Sequence, residues 1–532
     1  MFAVLTIISI IILVCISFGQ FINRFGVPAL ITFLFLGIIA GSMPFDHSIV
    51  EPHFAEGIGE IALIFVMFYG GFGTNWKAAR PIVLRASLLS TLGVLITAGA
   101  VTLFAHFAFG LSWQEGFLIG AIISCTDGAS VFSLLRTKKM NLKYSTVSAL
   151  EIENGSNDPI SYLLTLVAIL ILQGGSLSEI PLLVVEELVF GVGIGIGIAL
   201  LAVPVIKRFS RFFSEGMDFV FIFAIAILTF ALAQQIKGNG YLAAFLCGIW
   251  LGNSTIPNKV HLARFFDSID WFAQIMIFFV IGMLVIPANL IPAILPAVGL
   301  TLFLLLIARP LAVFSIFKPR GGPTKQCLLI SWVGLRGAAS LVFAVLATSS
   351  GLTLQSDIFS IVVLTAFFSI TLQGTLLEQA AKRFDMIDTE SDVMKSFNDY
   401  QAQTEQAFLK INMNPDHIWV GKALKELGIG QESLIVLIKR GTHTLAPNGD
   451  TVIEADDILV MTGETYTDDD NAEISQRFID AKSEWADKLI KDLHLKDNTL
   501  IVNVLKEDGT SVTPRGWTKI HPGDTVTLIT WD

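Results

Sequence analysis

Long apolar runs, each broken by a short polar stretch, fill the chain up to about residue 380, after which short apolar segments alternate with Gly, Asp and Pro. A helix needs about 20 apolar residues to cross the hydrocarbon of a bilayer, within a range of roughly 17–25. By that measure 13 spans are predicted, at approximately 2–19, 26–43, 58–74, 83–109, 116–135, 147–173, 181–205, 219–236, 240–255, 269–286, 292–317, 326–350 and 358–380. The polar connections check this independently, because cytoplasmic loops carry the Lys/Arg excess. Alternate loops hold Arg24; Lys77, Arg80 and Arg85; Arg136, Lys138, Lys139 and Lys143; Lys207, Arg208 and Arg211; Lys259 and Arg264; and Lys318, Arg320 and Lys325. The loops between them hold only Lys237. An odd number of spans then puts the N-terminus outside and the C-terminal region in the cytoplasm. The first run has no basic flank before it and no small-residue cleavage pattern after it, so it reads as a retained helix.

Composition sharpens this picture. The chain is 53% hydrophobic and 15% charged, against about 25% charged for a soluble chain, which excludes a soluble enzyme or a nucleic-acid binder. The net charge of −10 is unevenly distributed: residues 1–383 carry 21 Lys/Arg and 18 Asp/Glu, whereas residues 384–532 carry 14 and 27. The expected fold class is therefore an α-helical polytopic membrane protein with α+β cytosolic domains. The expected division is a membrane domain at 1–383, a linker at 384–409, and two soluble modules at 410–465 and 466–532. Cys15, Cys125, Cys247 and Cys327 lie in apolar runs without CxxC or Cys/His spacing, and read as small core residues rather than metal ligands.

Ionisable residues within spans are expensive and by default functional. Span five contains Ser124-Cys125-Thr126-Asp127-Gly128, and span six contains Glu151-Ile152-Glu153-Asn154-Gly155-Ser156-Asn157-Asp158-Pro159. Gly128 and Pro159 predict irregular backbone, which membranes tolerate only beside protein or a water-filled cavity. Glu153 and Asp158 are separated by about 140° around a helix, so they do not share one face, whereas Asn154 and Asp158 do. Asp158 is therefore assigned to an ion path, with Asn154 or Asn157 and the Thr126/Asp127 region beside it. Glu153 needs another partner, and the intramembrane cation assigned to it is Arg336 in span twelve, since burying the two together leaves neither charge alone. Arg309 reads as a residue near the cytoplasmic end of span eleven whose charge snorkels to the surface.

These residues resemble the NhaP-type monovalent cation/proton antiporters: Glu153 and Asp158, the Asn157-Asp158 pair, the Thr126-Asp127 pair and the Gly-Leu-Arg-Gly run around Arg336. The resemblance covers about residues 1–380. It implies that Asp158 takes cation and proton in turn, that the Asn-Asp form exchanges electroneutrally, and that Glu153 and Arg336 form a structural ion pair. The expected transport set is Asp158, Asn157, Asp127, Thr126 and Asn154, with Asp158, Asn154 and Thr126 as ligands of the monovalent cation. The resemblance also implies inverted repeats, two crossed discontinuous helices, an elevator-like motion and a homodimer. Many relatives carry an acid in helix three; here that stretch is Phe68-Tyr69-Gly70-Gly71-Phe72-Gly73, which leaves K⁺ against Na⁺ open. In physical terms, a lone carboxylate in a low-dielectric cavity recruits either a proton or a cation, and competition combined with alternating access is antiport. The rival classes are a gated cation channel and a membrane sensor that transports nothing; no carbonyl-lined filter repeat favours a channel.

The tail repeats itself at about 66 residues. Trp419 matches Trp485, Leu427 matches Leu493, Leu434-Ile435-Val436 matches Leu500-Ile501-Val502, Pro447 matches Pro514, Gly449 matches Gly516 and Asp457 matches Asp524. Each copy reads as a short helix followed by strands. The units resemble the C-terminal domain of regulators of K⁺ conductance, also called TrkA_C, which implies regulation by a small ligand, with cyclic di-AMP or another nucleotide as candidates; the bland alternative is a dimerisation domain with solvated charges. No cofactor and no nucleic-acid partner are expected; the remaining partners are K⁺ or Na⁺, protons and membrane lipid. The Gly191–Gly197 run lies inside span seven and reads as a helix-packing stripe, not a phosphate loop.

Overall fold

The computed structural model describes residues 29–42, 51–138, 140–209, 216–256, 258–388 and most of 406–531. The chain forms two compact units, Met1–Ala402 and Gln403–Asp532. The first is helical: α1 Ala29–Gly41, α2 Pro52–Gly73, α3 Val83–Phe109, α4 Trp113–Ile122, α5 Gly128–Thr137, α6 Thr146–Leu172, α7 Ile180–Phe209, α8 Met217–Gln235, α9 Gly240–Asn253, α10 Lys259–Leu284, α11 Pro287–Arg320, α12 Thr324–Trp332, α13 Ala338–Ser349, α14 Ile358–Gly374 and α15 Leu377–Arg383. Among the described residues, seven helices are individually long and apolar enough to cross a membrane, or eight if the bent pair α14–α15 is one span. The structure therefore does not establish the expected count of 13. Most of the first predicted span lies outside the described residues, and spans five and twelve are each two half-helices. Leu201, Leu295, Leu306 and Ile291 remain exposed on the long helices, as suits a lipid-facing surface.

Both breaks follow from local chemistry. After α4, the side chains of Ser124 and Cys125 turn back onto the carbonyls of Ala121 and Ile122, competing with helix continuation. Asp127 then caps α5, accepting from the Ser130 N–H at 3.3 Å and from the Ser130 hydroxyl. Between α12 and α13, Gly334 and Gly337 let the chain pass where a Cβ would strike Arg309 and the Asp127 carboxylate, respectively. The two unwound segments meet: Asp127 N–H donates to the Leu335 carbonyl at 2.8 Å, and Arg336 Nη1 donates to the Cys125 carbonyl at 2.5 Å. Span six departs from expectation, because α6 runs unbroken through Pro159. It is enclosed by neighbours, with Asn239 Nδ2 donating to the Pro159 carbonyl at 3.0 Å, and such support is what lets membrane helices keep a proline.

Small residues bring the backbones together. A Cβ at Gly71, Gly248 or Gly252 would collide with the facing backbone where α2 crosses α9, and Gly37 and Gly282 do the same for α1 and α10. Gly191 and Gly195 of α7 also leave no room for a Cβ against the Asn239 and Ala243 backbones, whereas Gly193 and Gly197 face open space, so the packing stripe expected of that run is formed by its alternate glycines. Three π turns adjoin the crossing region. Leu89–Gly93 packs on α6, Leu304–Ala308 immediately precedes Arg309, and Ile370–Gly374 contains Gln373, whose amide donates to the Trp332 carbonyl at 2.9 Å. Such bulges rotate the residues that follow and are frequent at functional sites.

A two-residue ladder, β1 Asn141–Leu142 with β2 Ile387–Asp388, ties the α5–α6 loop to the chain that leaves α15. In the second unit, β3 Gln406–Asn412, β4 Leu434–Arg440, β5 His443–Leu445 and β6 Ile458–Glu464 form an antiparallel sheet of order 3-6-4-5. A second sheet, from β7 Ala472–Phe478, β8 Thr499–Leu505, β9 Ser511–Val512 and β10 Thr525–Trp531, has the same topology in the order 7-10-8-9. The duplication seen in the sequence is thus a duplication of fold. The helix expected at the head of each copy is a single 3-10 turn among the described residues, Leu424–Glu426 and Ile490–Asp492.

Candidate functional site

A cavity of about 250 Å³ lies where the two unwound segments meet α6. Thr126, Asp127, Asn154 and Asp158 line it, together with Cys125 and Ser340. The i, i+4 spacing of Asn154 and Asp158 on α6 does what helix geometry requires: both reach the same space. The Thr126 hydroxyl donates to Asn154 Oδ1. Asp158 is 5% exposed, and its Oδ1 accepts no hydrogen bond from the described residues. A buried carboxylate oxygen left in that state is costly unless something else neutralises it.

The partner of Glu153 is not Arg336. Arg309 Nη2 donates to Glu153 Oε2 at 2.8 Å, with both side chains almost fully buried. Asn157 Nδ2 donates to the Thr126 hydroxyl oxygen at 2.5 Å and to Glu153 Oε1 at 3.2 Å. Asn157 thus joins the Glu153 network and does not line the cavity. The π turn before Arg309 aims that residue into the bundle, so the snorkelling expected of it does not occur. Arg336 instead serves the crossing: Nη1 holds the Cys125 carbonyl, and its own N–H donates to the Ser369 hydroxyl at 3.1 Å. Arg336 Nε and Nη2 have no partner among the described residues.

The structure adds residues to which the sequence assigned no role. Glu151 of α6 and Asp267, Asp270 and Gln274 of α10 line the same cavity. The Tyr69 hydroxyl donates to Asp267 Oδ1 at 2.7 Å, and Gln274 Nε2 donates to Asp270 Oδ2 at 2.5 Å. Positions 267, 270 and 274 fall on one helical face, a signal present in the sequence; the predicted span began at 269 and left Asp267 in a loop, whereas α10 begins at Lys259. These acids approach the cavity from the side where Gly70 and Gly73 of α2 leave space. Cys125 is buried as expected, yet it belongs to the unwound segment and its Sγ lies 3.1 Å from Ser340 Oγ across the crossing. Among the described residues, no group of three or more His, Cys, Asp or Glu has the geometry of a metal centre.

Residues 8–383 match the sodium/hydrogen exchanger transmembrane family, and residues 409–465 and 474–530 each match the TrkA-C domain. The chain is 33% identical over 381 residues to the K(+)/H(+) antiporter NhaP of Alkalimonas amylolytica, covering 71% of this chain and 66% of that protein. It is 30% identical over 450 residues to the K(+)/H(+) antiporter NhaP2 of Shewanella oneidensis, covering 83% and 78%. Its fold is similar to the sodium proton antiporter MjNhaP1 from Methanocaldococcus jannaschii, with a TM-score of 0.60 and 20% identity over 71% of this chain and 96% of that one. At that identity the likeness speaks for the fold alone.

Proposed function

The chain belongs to the sodium/hydrogen exchanger transmembrane family of multi-pass secondary transporters, and from that premise we propose that it exchanges K⁺ for H⁺ by competition at Asp158. The observation that carries the reading is the contrast within α6: Glu153 is paired with Arg309, while Asp158 faces the cavity with an oxygen that no described residue satisfies. A cation there finds the Asp158 carboxylate, Asn154 Oδ1 and the Thr126 hydroxyl oxygen, with carbonyls of the unwound segments nearby as further uncharged ligands. A proton occupies the same carboxylate when the cation leaves. Asp127, engaged in capping α5, lines the cavity beside these groups. With Glu153 held by Arg309, one carboxylate exchanges one cation for one proton, and the cycle is electroneutral.

The choice of K⁺ follows the K(+)/H(+) activity in the names of the two relatives above. We assign the basic loops, which include the α5–α6 connection, to the cytoplasmic face. The cavity is lined from the parts of α2, α6 and α10 nearest those loops, with the N-terminal end of α5 at its inner side, so we read the conformation as open inward. The TrkA-C copies would then sit in the cytoplasm as a regulatory module for a small ligand, a nucleotide such as cyclic di-AMP being the first to test, and the transporter would act as a homodimer. Proteoliposomes carrying a pH dye, challenged in turn with K⁺, Na⁺ and Rb⁺ with and without a clamped potential, test the reading. Proton release that follows K⁺ and ignores the potential is expected; a steady current that follows the potential would overturn electroneutral exchange.

A further inference from the structure

The loop of residues 138–145 connects the half-helix capped by Asp127 to the helix that carries Asp158, so its position bears on how the two halves of the site face each other. The chain leaving α15 is laid across this loop. Asn141 pairs with Asp388 and Leu142 with Ile387, and Lys143 N–H donates to the Met386 carbonyl at 2.9 Å. Met386 is fully buried, in one cluster with Met140 and Leu142 of the loop and Val147 and Leu150 of α6. Asp385 accepts from Lys143 and from Lys325 at 2.9 Å each, and Glu378 of α15 faces Lys138 at 3.3 Å.

The backbone at this point depends on its surroundings. Tyr144 and Ser145, which lead into α6, have φ of 62° and 54°, and Asp385 has φ of 52°. Non-glycine residues persist in that region only where neighbouring structure over-determines them. The neighbours here are Gln326, whose amide donates to the Tyr144 carbonyl at 3.1 Å, and the strap 385–388. Without the strap, the entry to α6 keeps Gln326 and loses the ladder, the Met386 anchor and a lysine contact.

The strap is also built from releasable parts. The side chains of the Lys143–Asp385–Lys325 triad are 36–66% exposed, so their attraction is weak and screened by salt. The ladder is two residues long. In the chain, residues 389–405 separate Asp388 from β3 of the first TrkA-C copy. We propose that this strap is the point at which the tail acts on transport: tension on or release of residues 385–388 shifts the α5–α6 connection, and with it Thr126 and Asp127 relative to Asp158. The proposal rests on the exchange reading above.

A reversible crosslink in the full-length chain tests it. Opposed residues of an antiparallel pair stand within disulfide range, and Cys125, Cys247 and Cys327 are buried, so in a Cys15→Ser background Asn141→Cys with Asp388→Cys offers a selective pair. Cation-driven proton movement is measured in vesicles before oxidation, after it, and after reduction. Closure is expected to change the rate by about fivefold, the low end of coupling between linked sites, and reductant to restore it. In a second variant, Asp385→Asn, the response of the rate to ionic strength should flatten while the cation KM stays unchanged. A complete crosslink with unaltered rate and pH profile would make the strap a fixed brace and overturn the proposal, as would failure of the pair to crosslink. Asp158→Asn in the same vesicles sets the zero; transport by that variant would count against the exchange reading, whatever the crosslink does.

Discussion

Glu153 and Asp158 stand five residues apart on α6, both buried, and the fold treats them oppositely. Around Glu153 the helix is closed: Arg309 and Asn157 occupy the carboxylate, and Thr126 stands within 3.3 Å. Around Asp158 it opens into a cavity shared with Asn154, Asp270 and Gly337. Burial therefore does not distinguish the acid proposed to exchange cation and proton, because both are buried; the partner does. An acid locked to a guanidinium has settled its charge within the protein, whereas an acid facing a cavity is placed to settle it with an ion or a proton.

The largest expected effect that probes this contrast is on flux. Asp158→Asn should abolish cation-dependent proton movement in vesicles while the protein still elutes as a folded species, and Glu153→Gln should leave measurable exchange in whatever fraction folds. Stability should reverse the order. Arg309→Gln strands the Glu153 charge and should cost about 3–5 kcal/mol in a thermal or denaturant melt, with much of it regained in the double variant Glu153→Gln/Arg309→Gln. Should Arg336→Gln prove the more damaging of the two arginine changes and be the one rescued by Glu153→Gln, the pairing would be wrong.

A smaller effect is expected from the opposite wall of the cavity. Asp270→Asn should raise the KM for the cation by about threefold or more with little change in turnover, because acids lining a cleft concentrate cations there. An unchanged KM would reduce Asp270 to packing. The smallest concerns pH at the strap. Hydrogen bonds from Lys325 and Lys143 hold the Asp385 carboxyl down to about 2. A depressed acid contributes stability above its ordinary pKa and loses it only as pH falls through the lowered value. The distance between spin labels attached to cysteines placed at 141 and 388 should therefore be indifferent to pH between 5 and 8 and should lengthen as salt is added.

Much of this was legible along the chain. The pairing of Asn154 with Asp158 rests on 3.6 residues per turn, and the tail duplication rests on two copies written one after the other. Polar residues at 124–128 foretold a break because their side chains compete with their own backbone. Pro159 carried the same signal without the same outcome, since neighbouring helices keep α6 continuous. Asp267 and Asp270 showed their common face, but a span boundary drawn from hydropathy placed one of them outside the membrane.

The sequence by itself determined that most of the chain lives in lipid, that spans five and six carry a polar core with Arg309 and Arg336 in spans eleven and twelve, and that the acidic tail is a repeated module. Periodicity, apolar length and repetition are properties of neighbours along the chain, so sequence suffices for them. The tertiary structure alone decided which arginine meets Glu153, which wall of the cavity adds further acids, and that the chain leaving α15 clasps the loop between the site helices. Each of these depends on where two distant backbones cross and which way a π turn aims a side chain, and an interaction between residues more than a hundred positions apart leaves no local pattern to read.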